Sequence, residues 1–485
     1  MPISLLFSDR SLLRVNPLDR KLLYQLSIDR SLSYFCADIR KQEKFLSVLS
    51  EYSGNKADVE YRQSILRDFL NNTGLHEQIS SIFRQFEELK TMHKTSGGDG
   101  FRISVNRIAS VSSSRNILQT RALSLERTLL LVQRLCELLS NYPLKSSGLR
   151  RLYAECRDIY EKPEFKEMLA FCGKYVDFST HGFLDFKFEM NEEGHIRDYQ
   201  LIDHDYIHIT DPDVKTKGLA LFKKTSEKQY PCARLYPGKN DFYTSLTISA
   251  LSDLSKLFAS VSEQIFEKFS PMNSELDFYS VALQYIAAMD EKEIPYCFPK
   301  ISDDSAVEIR GLYDLYLLMS SENPKTIVPN DLRVPVGTRG ILLFGDTGSG
   351  KTAFLRAIGC LQLFSQAGLP VPAESVTIPF CSQIAAQFSE GEKEFCAGND
   401  AGRFEQEVRE LAFMVDNLRE GALVFLNETF QSTAYSEGAD GLCSILKYFS
   451  DSGIRWILVS NIDALESILK EDALILHTAQ GYKIF

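Results

Sequence analysis

The 485-residue sequence holds no apolar run of the roughly 18 residues that a membrane-spanning helix needs, so no membrane segment is expected. Its N-terminus, "MPISLLFSDRSLLR", meets charge too soon for a secretory signal. The ten cysteines, from Cys36 to Cys443, include no C-x-x-C pair, which favours reduced structural thiols over zinc, redox or disulfide chemistry. Positive charge is also in short supply. With 54 Lys and Arg against 65 Asp and Glu the net charge is −11, so no general attraction to nucleic acid is implied and any DNA contact must come from a local basic surface. A cytoplasmic protein is expected. What is present is an ordinary globular composition, 44% hydrophobic and 25% charged, on a chain long enough for two or more domains.

The most informative stretch is "LLFGDTGSGKTAFLRAIG", residues 342–359. Gly345, Gly350, Lys351 and Thr352 fit G-x-x-x-x-G-K-[ST], a loop whose backbone N–H groups surround phosphates while the lysine neutralises charge and the threonine hydroxyl binds Mg²⁺. The context suits it, since Gly340 to Phe344 reads as a buried strand and Phe354, Leu355, Ala357 and Ile358 carry helical spacing. ATP with Mg²⁺ is the expected ligand, held by Gly345, Asp346, Thr347, Gly348, Ser349, Gly350, Lys351 and Thr352.

Further along, "GALVFLNETF" gives an apolar strand over Ala422–Leu426 that ends in Asn427-Glu428, where a phosphate-loop ATPase places its Walker B acids. Glu428 keeps a carboxylate suited to a general base. Asn427 can bond a metal-bound water but brings no negative charge, so weaker Mg²⁺ binding or slower turnover is expected. Between the two motifs, Asn399-Asp400-Ala401-Gly402 leads into a helix with Phe404, Val408, Leu411, Val415 and Leu418 at helical spacing. This order is similar to that of ABC-type ATPases, in which the helix start meets the γ-phosphate of the opposite subunit. It implies a homodimer with Gly402 and Arg403 as the trans signature.

Ahead of the loop, "KADVEYRQSILRDFLNNTGLHEQISSIFRQFEELK" spaces Val59, Ile65, Leu66, Phe69 and Leu70, then Ile79, Ile82, Phe83 and Phe86, as two helices. "KTSGGDG" breaks the pattern and "RALSLERTLLLVQRLCELLSNYP" resumes it. Phe183, Leu184, Phe186 and Phe188 alternate with polar neighbours, turn at 191–194, and resume with Ile196, Tyr199, Leu201 and Ile202 as a β-hairpin. The stretch after it holds Lys215, Lys217, Lys223, Lys224 and Lys228, the one clear basic region of the chain. It reads equally as a solvated loop and as a phosphate contact. A long helical pattern then returns before "IPYCFPKIS" opens an α/β part.

Over about 295–466 the chain resembles the MutS-like ATPases of mismatch repair, through "IVPNDL", "GDTGSGKTAFLRAIG", "AGLPVPAESVTI", "GRFEQEVREL", "LVFLNETFQST" and "ILVSNIDAL" in that order. "DVEYRQSILRDFLNN" looks like the family's core-domain opening. The resemblance implies a multidomain α and α/β fold: helical core and first lever (1–175), a β-rich clamp-like insertion (176–247), a returning lever helix (248–292) and an ABC-type P-loop ATPase domain (293–485). It also implies DNA held by its backbone, dimerisation through the ATPase domain, a repair-protein partner, and Asn461 near the γ-phosphate in place of the family's switch histidine. Three departures, at Gly402, Asn427 and Asn461, bear on hydrolysis more than on binding. The sequence opens near the core domain and stops at "LHTAQGYKIF", so neither direct mismatch reading nor the family's tight C-terminal dimer contact is expected. The rival reading is a non-hydrolysing, nucleotide-dependent scaffold whose lysine stretch binds a protein. A chromosome-maintenance ATPase is a third, disfavoured by arms as short as 250–292.

Overall fold

Apolar residues spaced three to four apart set helices in the first part of the chain, and continuous apolar runs set parallel strands in the last part. The computed structural model describes residues 3–8, 15–17, 20–53, 56–97, 111–176, 184–190, 196–203, 205–208, 232–235, 241–346, 348–388, 403–430, 435–478 and 483–484. The chain opens with β1 (Val15–Pro17), α1 (Arg20–Gln25), α2 (Ile28–Leu32), α3 (Ile39–Ser50), β2 (Glu51–Ser53) and α4 (Lys56–Asn71). There follow α5 (Leu75–Gly97), α6 (Val111–Ser140), α7 (Ser147–Tyr160), α8 (Pro163–Val176), β3 (Leu184–Met190), β4 (Ile196–Asp203), β5 (Asp205–His208) and β6 (Cys232–Leu235). Next come α9 (Asp241–Phe269), α10 (Met272–Glu291), β7 (Lys300–Ser302), β8 (Val307–Leu312), α11 (Leu315–Ser320), β9 (Asn330–Val334) and β10 (Gly340–Phe344). The last segment holds α12 (Lys351–Ala367), β11 (Ser375–Pro379), β12 (Ile384–Phe388), α13 (Arg403–Asn417), β13 (Leu423–Asn427), α14 (Tyr435–Asp451), β14 (Arg455–Ser460), α15 (Asp463–Leu469) and β15 (Ala473–His477). The chain divides into two units, one of residues 1–3, 74–145 and 149–273 and one of residues 4–73, 146–148 and 274–485. Among the described residues no helix is long and apolar enough to cross a membrane.

In the first unit α6 packs against α5, α8 and α9. The expected face of α5, Ile79, Ile82, Phe83 and Phe86, is buried, and both phenylalanines meet the ring of Phe269. The expected hairpin is present as β3 against β4, with Phe186 opposite Leu201 and Phe188 opposite Tyr199, inside an antiparallel sheet of order β5-β4-β3-β6. Its turn at 191–194 and Lys215, Lys217, Lys223, Lys224 and Lys228 lie outside the described residues. The helical run over 248–292 is not one helix. Pro271 lacks an N–H and disfavours helical backbone at Ser270, so α9 stops at Phe269 and α10 starts at Met272.

The second unit is built on a five-stranded sheet of order β12-β13-β14-β10-β15 in which every neighbouring pair is parallel. Leu342, Val424, Leu426 and Leu458 on its strands pack with Leu411, Leu442 and Leu465 from α13, α14 and α15. Each such side chain contributes roughly 1.5–3 kcal/mol when fully buried. Helix α12 buries Phe354, Leu355 and Ile358 and packs against α3 and α4. A second, mixed sheet has the order β7-β11-β8-β9.

Helix α13 keeps Leu411, Val415 and Leu418 of its expected face against the core, but its first turn is turned differently. Glu407, Leu411, Met414 and Leu418 are buried, whereas Phe404 and Val408 are exposed. Because all five strands of the first sheet run the same way, the loops leaving their C-terminal ends lie along one edge, where parallel sheets bind ligands.

Candidate functional site

Strand β14 lies between β10 and β13, with Phe344 opposite Ser460 and Asn427 opposite Val459, so three chain exits stand side by side. The exit from β10 turns through Gly345, Gly348 and Gly350, which have φ of 150°, 81° and 94°. Residues that carry a Cβ rarely adopt such values. At Gly345 there is also no room, because a Cβ there would fall 2.0 Å from Thr478 Oγ1. Ser349 donates to the Asp346 carbonyl from both its N–H and its hydroxyl, at 3.2 and 2.7 Å, and accepts from the Thr478 hydroxyl at 2.8 Å. The first turn of α12 has no side-chain cap on its N–H groups, which leaves a 17-residue helix pointing its positive end at the loop.

Lys351 is 4% exposed, and its ammonium donates to the Gly345 and Asp346 carbonyls at 2.6 Å each. Burial pulls its pKa below the usual lysine value, and the Glu428 and Asp346 carboxylates pull the other way. The Thr352 hydroxyl donates to Asn427 Oδ1 at 3.1 Å, which joins the phosphate-loop helix to the end of β13. Glu428 follows in left-handed backbone, φ 56°, with its N–H on the Val459 carbonyl at 2.9 Å. Asn461, just past β14, has its Oδ1 buried without a hydrogen-bond partner. Each left-handed non-glycine residue costs about 1–3 kcal/mol and persists only where its surroundings fix it.

These groups fit a magnesium nucleotide. A cation, uncapped helix N–H groups and glycine backbone suit phosphates; a hydroxyl and an amide oxygen in contact suit a metal's water shell. Among the described residues no group of three or more His, Cys, Asp or Glu could hold a metal, so Mg²⁺ here would depend on Thr352, Asn427, water and the phosphates themselves.

The structure therefore brings together Gly345, Asp346, Gly348, Ser349, Gly350, Lys351, Thr352, Asn427, Glu428 and Asn461 along one sheet edge. Thr347 and Gly402 lie outside the described residues, and Arg403 opens α13. Two residues at the edge were not legible beforehand. Thr478 clasps Ser349, and Glu407 accepts from the Phe430 N–H at 2.9 Å. A lone threonine after a strand carries no signal. A glutamate inside a helix motif did carry one, but charged residues are ordinarily assigned to the solvent face.

Two family models match this chain: the MutS2 N-terminal domain over residues 55–292 and MutS domain V over residues 341–469. Among curated proteins, a DNA mismatch repair protein MutS from Microcystis aeruginosa is 28% identical over 238 residues, covering 46% of this chain and 26% of that protein. Human MutS protein homolog 4 is 26% identical over 177 residues, covering 35% of this chain and 18% of the relative. An endonuclease MutS2 from Lactobacillus helveticus is 25% identical over 176 residues, covering 36% and 21%. The matched stretches span about a quarter or less of these relatives' own length.

Proposed function

We propose a function from the premise that this chain belongs to the MutS family of DNA-repair-related proteins. The reading is a slow ATPase with an ABC-type P-loop domain. Two copies would close on two nucleotides through that domain, with Gly402 and Arg403 reaching the partner's γ-phosphate, and the helical levers would pass the closure to DNA held by its backbone. Lys351 would neutralise the β- and γ-phosphates, Asn461 would stand near the γ-phosphate, and Glu428 would take a proton from the attacking water. Bound Mg²⁺ would supply charge neutralisation between the phosphates, with Thr352 and Asn427 facing it.

The observation that carries this reading is the Thr352 to Asn427 hydrogen bond beside the buried Lys351, because it joins the two motifs at the spot where metal and phosphate chemistry would meet. The DNA part draws on the relatives' names, two of which speak of mismatch repair and nuclease action, and on the basic stretch Lys215, Lys217, Lys223, Lys224 and Lys228. Cytoplasmic placement and a repair-protein partner belong to the same proposal.

The test is phosphate release from Mg-ATP with and without duplex, branched and single-stranded DNA. Turnover that rises with DNA supports the clamp. One specific observation favours a second reading, a non-hydrolysing nucleotide-dependent scaffold: Asn427 brings no negative charge to the metal position. Tight ATP binding with no phosphate release on any DNA would select that reading.

A further inference from the structure

We infer that Glu407 is a positioning residue that couples the start of helix α13 to the loop carrying Glu428. The inference rests on the ATPase reading for its meaning but on its own geometry for its existence. Glu407 lies one turn inside α13, on the face it shares with Leu411 and Met414, and is 3% exposed. Its neighbours Glu405 and Arg409 pair with each other on the solvent side. A carboxylate on the core face is costly unless it accepts hydrogen bonds, and Oε2 of Glu407 accepts from the Phe430 N–H at 2.9 Å.

The loop it holds is strained. Glu428 and Phe430 both have left-handed backbone, φ 56° and 63°, so the strand ladder ends at Asn427 and the next N–H groups need other acceptors. Glu428 N–H takes the Val459 carbonyl and the Thr429 hydroxyl donates to Gln387, both on sheet strands. Phe430 takes Glu407, and its ring lies 5.2 Å from that of Phe404 on the same helix. The Glu428 and Thr429 bonds thus go to the sheet, and the Phe430 bond goes to a helix. The helix is itself held on another side by Lys21 of α1, whose ammonium meets Glu410 at 2.7 Å. A shift at the start of α13, where the partner's nucleotide is proposed to arrive, therefore reaches Glu428 through Glu407 and Phe404.

The experiment compares wild type with Glu407→Gln, which keeps an acceptor oxygen, and Glu407→Leu, which does not. Mg-ATP affinity, single-turnover hydrolysis, melting temperature and amide hydrogen exchange over residues 423–430 are measured on each. Losing a hydrogen bond to a charged acceptor should slow hydrolysis in Glu407→Leu by about 10- to 100-fold while ATP affinity stays within about threefold, and Glu407→Gln should recover most of the rate. Phe404→Ala, at an exposed position, should give a smaller loss in the same direction and keeps the question open to test if Glu407→Leu does not fold. A wild-type rate in Glu407→Leu, or a matched fall in affinity, rate and melting temperature, would overturn the inference. If wild type itself releases no phosphate, the ATPase reading fails separately. Coupling is then read from exchange alone: faster exchange in Glu407→Leu but not in Glu407→Gln upholds it, and equal exchange in all three overturns it.

Discussion

Two loops leave the same edge of the five-stranded sheet, and both need left-handed backbone, yet they meet the need in opposite ways. After β10 the residues with positive φ are Gly345, Gly348 and Gly350; after β13 they are Glu428 and Phe430. Glycine adopts this conformation at no steric cost, so the first loop takes its shape from its own composition. The second is held by bonds from elsewhere in the unit, among them those to Val459, Gln387 and Glu407. A glycine turn is written locally. A strained turn of non-glycine residues is written in contacts distant in sequence.

The largest expected effect falls on the glycine loop. Lys351→Ala removes a cation at a site suited to several negative charges and takes one donor from each of the Gly345 and Asp346 carbonyls, so ATP affinity should fall by about 3 kcal/mol or more, at least a hundredfold. Equilibrium titration with a fluorescent ATP analogue reads this directly, and unchanged affinity would remove the basis of the comparison. Next comes Gly345→Ala. Its φ and its collision with Thr478 should cost about 1–3 kcal/mol, seen as a lower melting temperature and weaker ATP binding. Adding Thr478→Ala should return part of that loss, and a strictly additive double variant would show that Thr478 does not press on the loop.

A smaller change is expected at the second loop. Asn427→Asp adds a negative charge beside the Thr352 hydroxyl and should tighten Mg²⁺ binding by about tenfold, measured by metal titration of ATP-bound protein. No response would move Asn427 away from the metal. The smallest effect concerns the basic stretch. Lys223→Glu with Lys224→Glu should leave ATP binding intact and flatten the salt dependence of DNA affinity, with the log–log slope falling by roughly 0.9 per lost phosphate contact. Duplex binding equal to wild type at several salt concentrations would favour the solvated-loop reading of those lysines.

The same contrast decides what could be read from sequence. The strand, glycine turn and helix around Lys351 are contiguous, and the expected strand Gly340–Phe344 matches β10 at both ends. The β13 strand was legible from its apolar run, with both boundaries displaced by one residue: Ala422 N–H goes to the Arg419 carbonyl in the preceding turn, and the polar Asn427 still belongs to the ladder. The face of helix α13 was legible in part: Leu411, Val415 and Leu418 do pack on the core. Counting only apolar positions selected Phe404 and Val408, while the buried face includes Glu407, whose acceptor role depends on a backbone N–H of Phe430. The break at Pro271 was missed for a related reason: apolar spacing continues through it, so periodicity alone joins α9 to α10. Thr478 could not be found at all, since its meaning comes only from lying against Gly345 and Ser349.

If the two loops form one site, the first grips ATP and the second sets Glu428 against water. Single-turnover phosphate release by wild type and Glu428→Gln, with bound nucleotide measured in the same samples, tests it most directly. Glu428→Gln should hold ATP as wild type does and release phosphate about 10²–10⁴-fold more slowly. Equal release rates in the two proteins, at equal occupancy, would contradict it.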